Sequence, residues 1–169
     1  PVALARWDVE ALGLDQPACC RMNAALRDVG MFDSGAMRLS AWEATVMDPQ
    51  HRLVLVRATE VVQSAAGAGD ACWGAAVGIG GMDYSRLLDA RVEAVDAWMA
   101  TATTLSVASG RVSYTLGMTG PAMSIDTACS SSLVGSHVVV TAAAGGECSS
   151  GVSVGVSLIL ATHTTVTFQ

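Results

Sequence analysis

Charge is scarce in this sequence. Charged side chains make up 14% of the 169 residues, whereas 51% are apolar. That is a greasy balance for a soluble domain, and much of the chain is expected to pack against protein outside it. The nine basic residues are scattered, they form no stripe, and the formal net charge is −6. A nucleic-acid partner is therefore not expected. A cysteine framework is lacking too. Cys19, Cys20, Cys72, Cys129 and Cys148 are odd in number and follow no disulfide or metal-ligand spacing. No metal site is expected, and thiols other than Cys129 read as small buried groups in a reducing, cytoplasmic setting. No basic-then-apolar signal opens the chain, which starts at Pro1 and reads as an excerpt of a longer polypeptide. Residues 127–146 and 148–169 carry no charge. Each is long enough to raise a membrane span, but Ser, Thr, Gly and a His in each weaken the drive to insert. Buried core is the expectation, with no membrane partner.

What is present is mixed helix and strand. Residues 1–39 hold Gly, Pro and scattered charge and read as loops and short helices. In "SAWE", Ser40 and Glu43 fit a capping box: the serine oxygen accepts from the third helical amide and the glutamate reaches back. In "MDPQHRLVLVRATEVVQSAAG", Asp48 suits the N-cap and Pro49 the first helical position. Val54, Leu55, Ala58, Val61 and Val62 make a broad apolar face, and Gly67 is a natural stop. "CWGAAVGIGG" (72–81) predicts a short buried strand. Helical sequence with breaks runs from near Tyr84 to about Tyr114. "MTGPAMSID" predicts a Gly-Pro turn and a strand from about Pro121 to Asp126. Residues 130–144 predict a helix ending at Gly145 and Gly146. "GVSVGVSLIL" (151–160) predicts a strand apolar on both faces, as in a covered sheet. The class is α/β with no internal repeat.

Cys129 therefore falls between a strand ending at Asp126 and a helix starting near Ser130. A sharp strand-to-helix turn lifts its central side chain toward a cleft. The helix start places free amides and partial positive charge beside the sulfur, favouring thiolate. The Cys129 N–H would face an oxyanion formed by attack on a thioester carbonyl. Small neighbours, Ala128 and Ser130, leave room for substrate. The plain alternative is a small buried residue before a helix, and spacing leaves both readings open. A base is harder to find. His137 is on the same predicted helix, roughly 12 Å along its axis from Cys129. His51 reads as a polar helix-start residue, and His163 follows the last strand without a defined place. A papain-like hydrolase has no local cysteine signature here.

"DTACSSSLVGSH" (126–137) resembles the active-site motif of β-ketoacyl synthases, in the form found in type I polyketide synthases. "RWDVEA" (6–11), "MDPQHRLVL" (47–55), "GRVSYTLGMTGPAMSIDTACSSSL" (110–133) and "GGEC" (145–148) match the family in the same order. The resemblance implies a thiolase-like fold of two similar αβ halves, of which this chain holds most of the first without its first strand. It implies decarboxylative Claisen condensation in polyketide biosynthesis. Cys129 is then the acyl-accepting nucleophile, with its backbone N–H in the oxyanion hole and Asp126, Thr127, Ala128 and Ser130 supporting the motif. His137 matches a family position that is not the catalytic histidine. The family's two catalytic histidines and supporting lysine belong to the second half of the domain, which implies that this chain alone is inactive. No cofactor is bound directly. The implied partners are an acyl carrier protein domain with its phosphopantetheine arm, the remainder of the ketosynthase domain, and a second copy in a homodimer. Several positions depart from the pattern: Val56 stands where the family usually has Glu, Ala102 where it has Gly, "FDSGAMRLS" (32–40) lacks an aromatic pair, and "SVGVS" (153–157) lacks a second Gly. The alternatives are an animal-type fatty acid synthase ketosynthase and a non-catalytic, truncated ketosynthase-like dimerisation module.

Overall fold

Three parallel strands organise the described residues, with helices packed against both faces of the sheet. The computed structural model describes residues 26, 28–65, 72–89, 97–161 and 164. Helix α1 (Ala41–Val46) and helix α2 (Pro49–Ser64) precede strand β1 (Trp73–Ile79). Helices α3 (Asp83–Asp89), α4 (Ala97–Ala102) and α5 (Val107–Leu116) lead to strand β2 (Ala122–Ile125). A 3-10 turn (Ala128–Ser130), helix α6 (Ser131–Ala144) and strand β3 (Ser150–Val156) follow. The sheet order is β2-β1-β3. All seven residues of β1 pair with β3, and Ala75–Gly78 pair with Ala122–Ile125. Parallel neighbours need crossovers, supplied here by α3–α5 and by α6.

Local chemistry sets the helix starts. Ser40 accepts the Glu43 amide at 3.1 Å, as the capping pattern predicts. The reciprocal half of the box is not made. Glu43 instead turns to α5 and pairs with Arg111 at 2.6 Å, with both side chains largely buried. A charge partner in a dry interface outcompetes a neutral amide at the exposed helix start. Asp48 caps α2 through the Gln50 amide at 2.7 Å, with Pro49 in the first turn. Burial pushes the Asp48 carboxyl up, although Gln50 hydrogen bonds oppose this. Helix α2 ends at Ser64; the expected stop, Gly67, lies outside the described residues. Of the predicted apolar face, Val54, Leu55 and Ala58 are buried and Val61 is exposed.

The two faces of the sheet are built from different residues. On one, Ala75, Val77, Ile79 and Val152 meet Met47, Val54, Leu55 and Ala58, with Ala108 and Val112 from α5. This is the apolar core, where each fully buried large side chain contributes about 1.5–3 kcal/mol. The opposite face carries small residues, and α6 presses directly onto it. A Cβ on Gly78 would lie 2.8 Å from backbone atoms of Ser131 and Ser132. One on Gly155 would lie 2.6 Å from Ser132 Cβ, and Gly135 of α6 faces Ser153 and Ala76 in turn. Strand β3 thus alternates valine toward the core with Gly and Ser toward α6. The expectation that it is apolar on both faces is corrected: both faces are covered, but one through small residues.

Strand β3 also ends at Val156, short of the predicted 160. Its successors donate to side chains rather than to a neighbouring strand. The Leu158 amide bonds to Gln50 Oε1 at 3.1 Å, and the Leu160 and Ala161 amides bond to the Asp83 carboxylate at 3.0 and 3.1 Å. Once these donors are taken, no ladder can continue. The outer surface of charge-free α6 leaves Leu133 and Val140 74% and 66% exposed. A helix apolar all round is the kind that a larger assembly buries.

Candidate active site

The predicted nucleophile turn lies where β2 hands over to α6. Gly80 and Asp126 follow the carboxyl ends of the adjacent parallel strands β1 and β2, the end of an open parallel sheet where ligand sites form. The 3-10 turn then carries Cys129 into α6, which begins at Ser131, one residue later than expected. The Cys129 thiol is exposed. It is not packed as a small core group. Among the described residues, Cys148 is buried and Cys72 is half-buried, with its Sγ 3.6 Å from the Glu147 carbonyl. Cys19 and Cys20 lie outside the described residues.

Every predicted supporting residue takes part in the turn. Ala128 has φ 54, the left-handed region that an alanine enters at a cost of about 1–2 kcal/mol. Asp126 Oδ1 accepts the Ala128 amide at 3.1 Å. Ser130 Oγ donates to the Thr127 carbonyl at 2.8 Å and lies 2.9 Å from Thr127 Oγ1. Ser131, which sequence reasoning passed over, is the central knot. Its buried hydroxyl accepts the Thr127 amide at 2.8 Å and donates to the Ala128 carbonyl at 2.7 Å. The signal was present in the three consecutive serines, since hydroxyls at a helix start compete well for backbone groups. On the far side of β2, Ser124 Oγ accepts the Ser109 amide at 3.1 Å and ties the strand to α5.

Neither described histidine belongs to this turn by contact. His137 is an exposed residue of α6, on the same helix that Cys129 precedes. His51 departs from expectation. It sits in the first turn of α2 but is buried, and neither ring nitrogen has a hydrogen-bond partner. Burial, with the Arg111 charge adding to it, pushes its pKa down to about 4. The imidazole is thus held neutral. His163 lies outside the described residues. No group of three or more His, Cys, Asp or Glu among the described residues could hold a metal ion. No helix among them is long and apolar enough to cross a membrane.

A cavity of about 450 Å³ opens elsewhere, lined by Met31, Phe32, Asp33, Met37 and Val56. It includes no residue of the Cys129 turn. Two of the departures from the family pattern, Val56 and the segment after Phe32, meet in it.

Comparison with known proteins accounts for this architecture. Residues 2–169 match the family described as "Beta-ketoacyl synthase, N-terminal domain". The chain is 42% identical over 172 residues to Erythronolide synthase EryA2 of Saccharopolyspora erythraea, covering 96% of this chain and 5% of that protein. It is 39% identical over 172 residues to the Pikromycin polyketide synthase component PikAII of Streptomyces venezuelae, again covering 96% of this chain and 5% of the other. Among solved structures, the ketosynthase from module 6 of the bacillaene synthase of Bacillus subtilis 168 superposes with a TM-score of 0.81 at 30% identity. That match takes in 99% of this chain and 28% of the ketosynthase. This chain thus spans a small part of each relative's length, and its parallel sheet is part of the first αβ half of a thiolase-like fold. With the family match running from residue 2 to residue 169 and a polyketide synthase component among these relatives, the chain belongs to the β-ketoacyl synthase family, among the ketosynthases of type I polyketide synthases.

Proposed function

We propose that this chain supplies the acyl-accepting half of a polyketide ketosynthase active site, with Cys129 as the nucleophile. One observation carries the reading: Cys129 is an exposed cysteine that follows a left-handed Ala128 at the start of a helix. A thiolate there attacks the carbonyl of an acyl thioester. The new C–S bond forms at Cys129 as the old one breaks, and the departing thiol takes up a proton. The Cys129 amide, at the first turn before α6, supplies an oxyanion donor. A malonyl-type extender then loses CO2, and its carbanion displaces the Cys129 thiolate from the acyl carbon. Splitting one difficult step into two is the gain from a covalent intermediate.

The remaining groups are proposed to come from elsewhere in the parent protein. The chain contains no lysine, His51 is buried and neutral, and His137 follows Cys129 along the helix. The substrate carrier is proposed to be the phosphopantetheine arm of an acyl carrier protein domain, long and thin enough to reach an exposed thiol. The rest of the ketosynthase domain and a homodimer partner are proposed to cover the exposed apolar surface of α6 and strand β2, which among the described residues is an edge strand and whose Met123 is 41% exposed.

Mass spectrometry of the intact protein after incubation with an acyl thioester tests this. The acyl mass is expected on the peptide containing Cys129 and absent from the Cys129→Ala variant. An equally labelled Cys129→Ala variant refutes the assignment.

A further inference from the structure

We propose that Asp126 is a positioning residue for Cys129: its carboxylate, seated against Gly80, holds Ala128 in the left-handed conformation that turns the thiol outward. The proposal rests on the acyl-accepting reading of Cys129. Alanine does not hold a positive φ without help, so at φ 54 Ala128 needs a neighbour that fixes it. Asp126 Oδ1 holds its amide side, accepting the Ala128 N–H at 3.1 Å, while the Ser131 hydroxyl holds the carbonyl side at 2.7 Å.

The carboxylate is itself seated. A Cβ on Gly80 would lie 3.1 Å from both Asp126 oxygens, so the carboxylate rests on a surface that glycine leaves open. Gly80 is in turn fixed from below. Its carbonyl accepts from Gln50 Nε2 at 3.1 Å, while Gln50 Oε1 accepts the Leu158 amide at 3.1 Å. Gln50 is 2% exposed, so these partners are its alternatives to water. A continuous series of contacts therefore runs from the end of β3, through α2 and the end of β1, to the residue preceding Cys129. Asp126 acts through Ala128 and makes no contact with the sulfur that this series requires.

The test compares Asp126→Ala, Asp126→Asn, Gly80→Ala and the double variant Asp126→Ala/Ala128→Gly in the intact protein. Two readouts are taken: the plateau rate of Cys129 alkylation by iodoacetamide at high pH, where the thiol is fully ionised, and acyl loading from an acyl thioester. Asp126→Ala is expected to slow both by about tenfold, the scale of a small misplacement of a reacting group. Asp126→Asn, which keeps the acceptor oxygen, stays within about threefold of wild type on the same scale. Glycine at 128 takes the left-handed conformation unaided, so the double variant recovers most of the loss. Gly80→Ala crowds the carboxylate and slows alkylation with the melting temperature nearly unchanged. Wild-type rates in Asp126→Ala overturn the proposal. So does an Asp126→Asn variant as slow as Asp126→Ala, and so does a double variant that recovers nothing. If wild-type Cys129 is alkylated but never acylated, the acyl-transfer reading falls while the alkylation arms still decide the role of Asp126.

Discussion

The two faces of this sheet do different work with the same strands. The α2–α5 face is filled by branched and long apolar side chains, and its job is stability. The α6 face is emptied of side chains, with Gly78, Gly135 and Gly155 letting backbones approach, and its job is placement. Apolar volume on one side anchors the sheet; absence of volume on the other sets where the Cys129 turn rests. A substitution should therefore damage stability on one face and thiol presentation on the other.

Gly78→Val gives the largest expected effect. Its added carbons collide with the backbone of Ser131 and Ser132, which cannot swing aside as a side chain could. The start of α6 must lift, and acyl loading at Cys129 should fall below detection. Normal loading in this variant would remove the claim that the small-residue face places the site. Leu55→Ala breaks the opposite face. Leu55 is fully buried, and the loss is expected at about 2–5 kcal/mol by chemical denaturation. Measured per folded molecule, Cys129 alkylation should be unchanged; a parallel loss of reactivity would show that the faces are not separable.

The next effect is a pH dependence seated on the core side. His51 protonates near pH 6.5 in an unfolded chain but only near pH 4 when folded. Between these values the unfolded state binds more protons, so stability falls as pH drops from 6.5 toward 4, by up to about 3 kcal/mol. The Asp48 carboxyl, pushed up by burial, works in the opposite direction. The His51 share is therefore the difference between wild type and His51→Gln, whose melting temperature should vary less across this window. Identical pH profiles would sink the point. Gly135→Ala is the mildest case. Its Cβ would meet Ser153 Oγ at 3.1 Å, with Ala76 Cβ at 3.5 Å and Ile125 Cδ1 at 3.8 Å in ordinary contact. Alanine gains about 1 kcal/mol over glycine in a helix, and the tight contact offsets it. A net change within about 1 kcal/mol is expected, against the large effect at Gly78.

Much of this was legible because it is local. Asp48-Pro49, Ser40 and the Gly145-Gly146 pair mark helix limits through their own backbone chemistry. The strand at 73–79 is announced by an apolar run between glycines. Legible too was the strand–cysteine–helix order that raised Cys129. What escaped depends on residues far apart in the chain. Glu43 abandoned its helix start for Arg111, His51 is buried, and beyond the end of β3 Gln50 and Asp83 captured the amides of Leu158 and Leu160. No local window contains both partners of such a pair. The positive φ of Ala128 was hidden for a related reason, since alanine gives no sign of a left-handed turn.

That last feature has a practical reach. The outward posture at position 129 is written into the backbone of the residue before it and the anchors around it, not into sulfur. Exchanging Cys129 for serine should leave the same stance with a poorer leaving group, so that an incoming chain, once attached as an ester, stays long enough to be seen.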